Sequence, residues 1–96
     1  MFIYRRIKVR EKELDAFRIK LASKSLIVIV GNKGYIMCGY LDMAVADKFK
    51  DVAVRVTGVD TISQVLRAKV ESCSKQACKM GIYKGQPVKE VLGIIA

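Results

Sequence analysis

The strongest constraint in this sequence is a change of apolar period at Gly39. Before Gly39, apolar and polar residues alternate over residues 2–12 and again over 17–21, which is typical of half-buried strands. From Tyr40 onwards the apolar residues follow helical spacing instead. We therefore predict that a strand ends at Cys38 and that a helix of about ten residues starts near Tyr40.

The first part of the chain is predicted to form most of a sheet. A polar connection at 11–15 joins the two alternating segments into an antiparallel hairpin, and the run at 26–30 is apolar on both faces, as in a central strand. Residues 31–34 (GNKG) predict a hairpin turn that needs positive φ, with a returning strand over 35–38. A further strand is predicted around 52–56.

The second part of the chain is predicted to be helical. Thr61 and Gln64 have the spacing of a capping box, in which the threonine is the N-cap. Apolar residues spaced along 70–80 predict the next helix. Pro87 at the first helical position opens a last helix that Gly93 ends.

Length and composition fit one domain. The chain has 96 residues, of which 52% are hydrophobic and 28% charged, and it shows no linker or repeat. We expect a single domain over residues 1–96 of the α+β class. Its N-terminal, mostly antiparallel sheet of about five strands would carry three or four helices.

The absence of histidine removes several function classes. With no His in the chain, His-based triads, His general bases and His metal ligands are excluded. The cysteines are Cys38, Cys73 and Cys78, too few for a Cys-only structural zinc site. If Cys73 and Cys78 share a helix, their Cα atoms lie about 8 Å apart, too far for a disulfide. No metal or cofactor is predicted.

No segment has the character of a membrane span. The longest strongly apolar run, residues 26–30, is far shorter than the ~20 residues that a spanning helix needs. Arginines and lysines interrupt the N-terminal region where a signal peptide would be apolar. We therefore expect a cytoplasmic protein.

One segment also resembles a known family. Residues 34–39 (GYIMCG), followed by Leu41 and Asp42, are similar to the YunC-like family of bacterial and archaeal proteins, a domain of unknown function. A later block adds to the likeness, at Thr57-Gly58-Val59, Thr61-Ile62, Val65-Leu66, Val70-Glu71-Ser72, Gly81-Ile82 and Gly85. The resemblance implies a small α+β domain whose N-terminal β region mediates tetramerisation. It implies no reaction and no catalytic residues.

Residues 1–24, a basic β-hairpin, are expected to serve in oligomerisation. A flat hairpin has an exposed edge that assembly covers, and assembly supplements the modest core of a short chain. The expected partner is a second copy of the chain, in a dimer or tetramer.

Cys38 is the candidate catalytic residue. If a helix starts beside it, the positive end of the helix would stabilise its thiolate, and the first-turn N–H groups would bind an anion. The alternative is a small apolar residue buried at the end of a strand. Whether the protein is an enzyme is left open.

The residues around this bend are candidates for binding a small anion. The bend and the start of the next helix would share a crevice, and the hairpin turn could hang over it, which gives the ligand-binding candidates Asn32, Lys33, Gly39, Asp42, Arg55, Asp60 and Thr61. Simpler roles compete at two places: Thr61 as a helix cap and residues 31–34 as a plain turn.

The net charge of +9 suits a polyanionic partner. The candidate nucleic-acid contacts are the cations of the hairpin, Arg6, Lys8, Arg10, Arg18 and Lys20. The alternative is a solvated face or a subunit rim with acidic partners. Binding of an anionic metabolite near Cys38 is our first hypothesis, a thiol-dependent enzyme the second, and nucleic-acid binding, which is not favoured, the third.

Overall fold

The N-terminal alternation forms antiparallel strands, as predicted. In the computed structural model, which describes residues 1–96, β1 (Phe2–Val9), β2 (Lys12–Lys20) and β3 (Ser25–Val30) pair antiparallel. The predicted connection at 11–15 is wrong in its bounds. Arg10 adopts a left-handed φ of 59°, which reverses the chain tightly enough for Val9 to pair with Lys12.

The middle of the chain makes the sheet mixed. β4 (Tyr35–Met37) returns antiparallel to β3, α1 (Met43–Lys48) crosses over, and β5 (Ala53–Arg55) pairs parallel with β4. The helix therefore begins at Met43 and not near Tyr40, because residues 38–42 form an irregular bend first.

The C-terminal part differs most from the predictions. The remaining elements are α2 (Ile62–Leu66), β6 (Ser72–Cys73), α3 (Lys75–Lys79) and α4 (Val88–Ile95). Cys73 lies in a strand that pairs with β5, so Cys73 and Cys78 do not share a helix. Pro87 is the N-cap of α4, and the helix continues through Gly93 to Ile95. The capping box at Thr61 and Gln64 is confirmed.

The sheet has the strand order β1-β2-β3-β4-β5-β6, and the α+β class is confirmed. It has six strands where about five were predicted, because the two-residue β6 gives no alternation to detect. The longest helix, α4, has eight residues, and none of the four helices could cross a membrane.

The two faces of the sheet differ in what covers them. The inner face carries the main core, in which strand residues pack against α2 and α4; its fully buried strand residues include Leu14, Ala16, Ile27, Ile29, Ile36 and Val54. On the outer face, α1 covers only the region around β4 and β5, through Leu41, Ala46 and Ala53. The outer face of β1, β2 and β3 has no helix over it.

The β3–β4 turn needs its glycines for a reason that was not predicted. None of residues 31–34 has positive φ. A Cβ at Gly34 would instead lie 2.5 Å from the carbonyl oxygen of Val52, and one at Gly31 would overlap the carbonyl of Ile95. Close packing against neighbouring backbone therefore requires glycine at both ends of the turn.

Ser74 joins α3 to the sheet. Its side chain is fully buried; Oγ donates to the Asp51 carbonyl at 2.7 Å and accepts from the N–H groups of Ala53 (3.0 Å) and Ala77 (3.2 Å). One hydroxyl thus caps the helix and holds the start of β5.

Replacing Ser74 with alanine should destabilise the fold strongly. Ser74→Ala leaves buried backbone groups without a partner, and we expect a loss of about 2–3 kcal/mol in the free energy of unfolding, measured by urea denaturation. Ser72→Ala is the matched control, because the Ser72 hydroxyl is only partly buried and bonds Glu71 on the surface. Equal losses in the two variants would contradict the role of Ser74.

Candidate functional site

A crevice of about 520 Å³ opens at one end of the sheet. The parallel strands β4 and β5 both end there, and β3 begins beside them. Ligands commonly bind outside the carboxyl ends of parallel strands, and the volume is typical of small-molecule sites. The crevice is lined by Lys24, Ser25, Cys38, Gly39, Tyr40, Thr57, Gly58, Val59, Asp60 and Gln64.

Three of the predicted site residues meet in this crevice. Cys38, Gly39 and Asp60 all line it, because the bend after β4 lies beside the segment that follows β5. A Cβ at Gly39 would touch only Thr57 Cγ2, at 4.0 Å, so the floor is open at this point. Thr61 stands next to Asp60 but does not line the crevice.

The N-terminus of α2, which follows Asp60 and Thr61, is capped by side chains of the same segment. Gln64 Oε1 accepts from the N–H groups of Asp60 (2.6 Å) and Thr61 (3.1 Å), and Thr61 Oγ1 accepts from Gln64 N–H at 3.1 Å. These bonds use the donors that an anion would otherwise take. Thr61 therefore acts as a cap in this fold.

Cys38 borders the crevice with its sulfur largely covered. The residue is 3% exposed; Sγ accepts from the Ile27 N–H at 3.4 Å and donates to the Ser25 carbonyl at 3.7 Å. The expected activation by an adjacent helix is wrong, since α1 begins five residues later at Met43. Cys38 therefore forms part of the crevice wall, and its thiol hydrogen-bonds the backbone of β3.

Asp42 occupies the place predicted for an anion. It is the N-cap of α1, and its Oδ1 accepts from Ala44 N–H (3.0 Å) and Val45 N–H (3.3 Å). The side chain itself thus neutralises the positive end of this short helix. Asp42 does not line the crevice.

Arg55 points away from Cys38. In the β4–β5 register it pairs with Met37, on the outer face, whereas Cys38 lies on the inner face. Its Nε donates to Glu71 Oε1 at 2.6 Å and its Nη1 to the Leu41 carbonyl at 3.2 Å. The bond from Arg55, with a second from Ser72, lowers the pKa of the Glu71 carboxyl. Arg55 therefore links β5 to β6 and to the bend and does not enter the crevice.

Asn32 and Lys33 lie at the other end of the sheet. They occupy the β3–β4 turn, whereas Cys38 sits at the opposite end of the same two strands. Lys33 borders a separate crevice beside the β1–β2 turn and the end of α4. The prediction that they approach the Cys38 crevice is therefore wrong.

Arg18 brings a nearly buried positive charge to the crevice. Its side chain is only 12% exposed, Nε donates to Ser25 Oγ at 3.2 Å, and Nη2 lies 3.5 Å from Asp60 Oδ2. Both partners line the crevice. The contact to the exposed Asp60 carboxylate is long and Nη1 has no partner. The Arg18 guanidinium therefore keeps N–H groups that can bind a ligand.

The basic residues of the hairpin do not form one surface. Arg18 and Lys20 lie on the inner face, while Arg6 and Lys8 lie on the outer face opposite Asp15 and Glu13. Arg6 makes ion pairs with Glu13 at 3.0 Å and with Asp15 at 3.6 Å. Arg10 is in the turn. The candidate nucleic-acid contacts therefore do not share one face, because alternation divides them between the two faces and acidic residues pair with Arg6 on the outer one.

Several lining residues were not predicted. Lys24 was interpreted only as part of the basic hairpin, and Ser25 was not singled out. Arg18, which contacts two of the lining residues without lining the crevice itself, was interpreted only as a nucleic-acid contact. The further unpredicted residues are Tyr40, Thr57, Gly58, Val59 and Gln64. No local motif marks them, because they meet only through the parallel pairing of β4 and β5. No group of three or more acidic or cysteine side chains in the fold could hold a metal ion.

The burial of Cys38 predicts its reactivity. In the native protein, iodoacetamide should alkylate Cys38 at least about tenfold more slowly than the exposed Cys78, because the thiol is covered. Peptide mass mapping of the labelled chain measures both rates, and labelling in urea supplies the control in which the difference disappears. A Cys38 that reacts as fast as Cys78 would show an open thiol.

Comparison with known proteins identifies the family. Residues 37–94 match the family model of a domain of unknown function, DUF1805. The chain is 37% identical over 90 residues to the uncharacterized protein YunC of Bacillus subtilis (strain 168), covering 90% of this chain and 89% of that protein.

A solved structure shows the same fold. The crystal structure of TA1206, a protein of unknown function from Thermoplasma acidophilum, superposes with a TM-score of 0.96 and 38% sequence identity. The match covers 100% of this chain and 94% of that one. The later block that carried the resemblance lies within the matched residues 37–94, as does the second half of the GYIMCG segment. The chain belongs to the YunC-like family, whose domain is the domain of unknown function DUF1805.

Proposed function

We propose that the protein binds a small anionic metabolite, such as a phosphorylated compound, in the crevice beside Cys38. The observation that carries this proposal is the placement of Arg18. A guanidinium that is nearly buried at the margin of a 520 Å³ crevice, with only a 3.5 Å contact to a carboxylate, suits a bound anion.

The charges around the crevice support an anion over a cation. Lys24 lines it, and Lys20 lies on the same face, opposite Ser25. Asp60 is the one carboxylate in the lining. Lys24 in the lining and Arg18 at the margin therefore stand against a single carboxylate, and the burial of Arg18 strengthens its attraction for a ligand anion.

The backbone supplies the rest of the site. Gly39 and Gly58 leave the lining open, since a Cβ at Gly58 would meet nothing within 4 Å and one at Gly39 only the Thr57 methyl group at 4.0 Å. A ligand can therefore approach the main chain closely at both strand ends. In this proposal Cys38 forms part of the wall and does not act as a nucleophile.

Thermal unfolding with anionic probes tests the site. Inorganic phosphate, pyrophosphate and adenosine monophosphate are titrated against the wild-type chain and against Arg18→Met, which keeps most of the apolar stem and removes the charge. A probe at about 100 times its Kd adds about 2.7 kcal/mol to the free energy of unfolding, so the Tm of the wild type should rise clearly. Arg18→Met should lose most of that rise.

The matched control is Arg10→Met. Arg10 is an exposed arginine in the β1–β2 turn, and its removal changes the net charge equally. This variant should keep the full rise in Tm. Equal responses of the two variants, or no response of the wild type to any of the probes, would contradict an anion site at Arg18.

We further infer that the outer face of β1, β2 and β3 binds a second copy of the chain, in a dimer or tetramer. This surface carries clustered apolar side chains, with Phe17 in contact with Phe2 (ring centroids 6.1 Å apart) and Tyr4 (5.2 Å). Phe2 is 60% exposed. Apolar patches of this kind are typical of protein interfaces.

The choice of a second copy as the occupant follows from the edge and the charges. β1 is the outermost strand, so its outer edge has no neighbour within the chain. Beside the apolar cluster the same face carries both signs, Arg6 with Glu13 and Asp15. A surface with both signs can be complementary to its own copy in a two-fold arrangement.

Light scattering tests the assembly. The wild type should have a mass that is two or four times 10.7 kDa, and Phe2→Lys should shift it towards 10.7 kDa because a charge would be buried in the interface. Tyr83→Lys is the control, since Tyr83 is similarly exposed (56%) but lies in the loop before α4. A wild-type monomer, or equal effects of both variants, would contradict this interface.

A further inference from the structure

The fold brings the thiols of Cys73 and Cys78 into contact. Cys73 ends β6 and Cys78 lies in the last turn of α3, and their Sγ atoms are 3.0 Å apart. The prediction that the two are too far apart for a bridge is wrong, because the strand-to-helix bend at Ser74 turns one side chain towards the other. A disulfide requires the sulfurs to approach by only about another 1 Å.

The backbone between the two cysteines is held in place. The buried Ser74 hydroxyl anchors the bend through its bonds to Asp51, Ala53 and Ala77. Val54 pairs with Cys73 in the β5–β6 ladder. The backbone that carries both cysteines is therefore held by contacts that do not involve sulfur.

The two thiols differ in their surroundings. Cys78 is exposed, whereas Cys73 is partly buried and its Sγ donates to the Ile82 carbonyl at 3.7 Å. Burial, followed by the hydrogen bond with Cys78 and the negative charge of Asp47, raises the pKa of the Cys73 thiol to about 11. Cys78 is therefore the thiol that a solvent reagent meets first.

We propose that Cys73 and Cys78 are a modification site that forms an intramolecular disulfide by exchange with low-molecular-weight disulfides. The inference rests on the placement of the two sulfurs and is independent of the anion site. In the product, the bond ties the edge strand β6 to the end of α3 and closes a short loop around Ser74.

The exchange proceeds in two steps that balance. The Cys78 thiolate attacks one sulfur of the reagent RS–SR, which breaks that S–S bond, forms a mixed disulfide and releases RS⁻. Cys73 then gives up its proton and attacks Cys78 Sγ, forming the Cys73–Cys78 bond and releasing a second RS⁻. The two thiol protons convert both RS⁻ to RSH. The protein is oxidised by two electrons and the small disulfide is reduced by two.

The test treats the native full-length chain with glutathione disulfide and follows its mass. The wild type should lose about 2 Da and keep one titratable thiol, Cys38, without a lasting glutathione adduct. Trypsin cleaves after Lys75 and thus separates the two cysteines. The product should therefore appear as residues 70–75 cross-linked to residues 76–79.

The variants make the order of steps visible. Cys73→Ser should accumulate the glutathione adduct on Cys78, because the resolving thiol is gone, whereas Cys78→Ser should form no internal bond. Cys38→Ser is the control and should lose 2 Da like the wild type. If the Cys73→Ser chain does not fold, the wild-type cross-link and the exposed Cys78→Ser variant still decide the question.

Two results would overturn the proposal. One is a wild-type chain that keeps all three thiols titratable after the treatment. The other is a wild-type chain that carries a stable glutathione adduct on Cys78, since the neighbouring Cys73 sulfur should displace the glutathione.

Discussion

The parallel pairing of β4 with β5 is the interaction on which the candidate site depends. Backbone bonds fix it at both ends, from Tyr35 N–H to the Val52 carbonyl and from Val56 N–H to the Met37 carbonyl, each 3.0 Å long. A parallel pair needs a crossover, and α1 supplies it. The pairing puts two strand ends side by side, so the bends after them enclose the crevice while β2 and β3 deliver Arg18 and Ser25 to its margin.

The two faces of the sheet differ in the helices that cover them. Helices α2 and α4 complete a core on the inner face, and α1 covers only part of the outer face. Alternation in the hairpin therefore sends Arg18 towards the crevice and Phe17 towards the open surface. Neighbouring residues in one strand thus contribute to the proposed anion site and to the proposed assembly of copies.

Local patterns predicted what depends on local physics. Alternation identified β1 and β2, the run that is apolar on both faces identified β3, and the capping box at Thr61 and Gln64 fixed the start of α2. The bend at 38–42 could not be foreseen, because the apolar spacing begins at Leu41 although the helix begins two residues later, at Met43, with Asp42 as its N-cap. Contact between Cys73 and Cys78 was missed for a similar reason, since a two-residue strand leaves no periodic signal.

Of the crevice, Cys38, Gly39 and Asp60 were predicted, whereas Arg18 and Lys24 reach it only through tertiary pairing.

Backbone amide shifts measured by NMR during a pyrophosphate titration test the anion site most directly. Saturable changes should concentrate on Gly39, Gly58 and Asp60, with the Arg18 side-chain Nε–H signal moving at the same concentrations. Those residues come from three separate parts of the chain, and only the folded crevice brings them together. Changes spread over the surface lysines, or centred on Lys33 at the opposite end of the sheet, would contradict a site at the ends of β4 and β5.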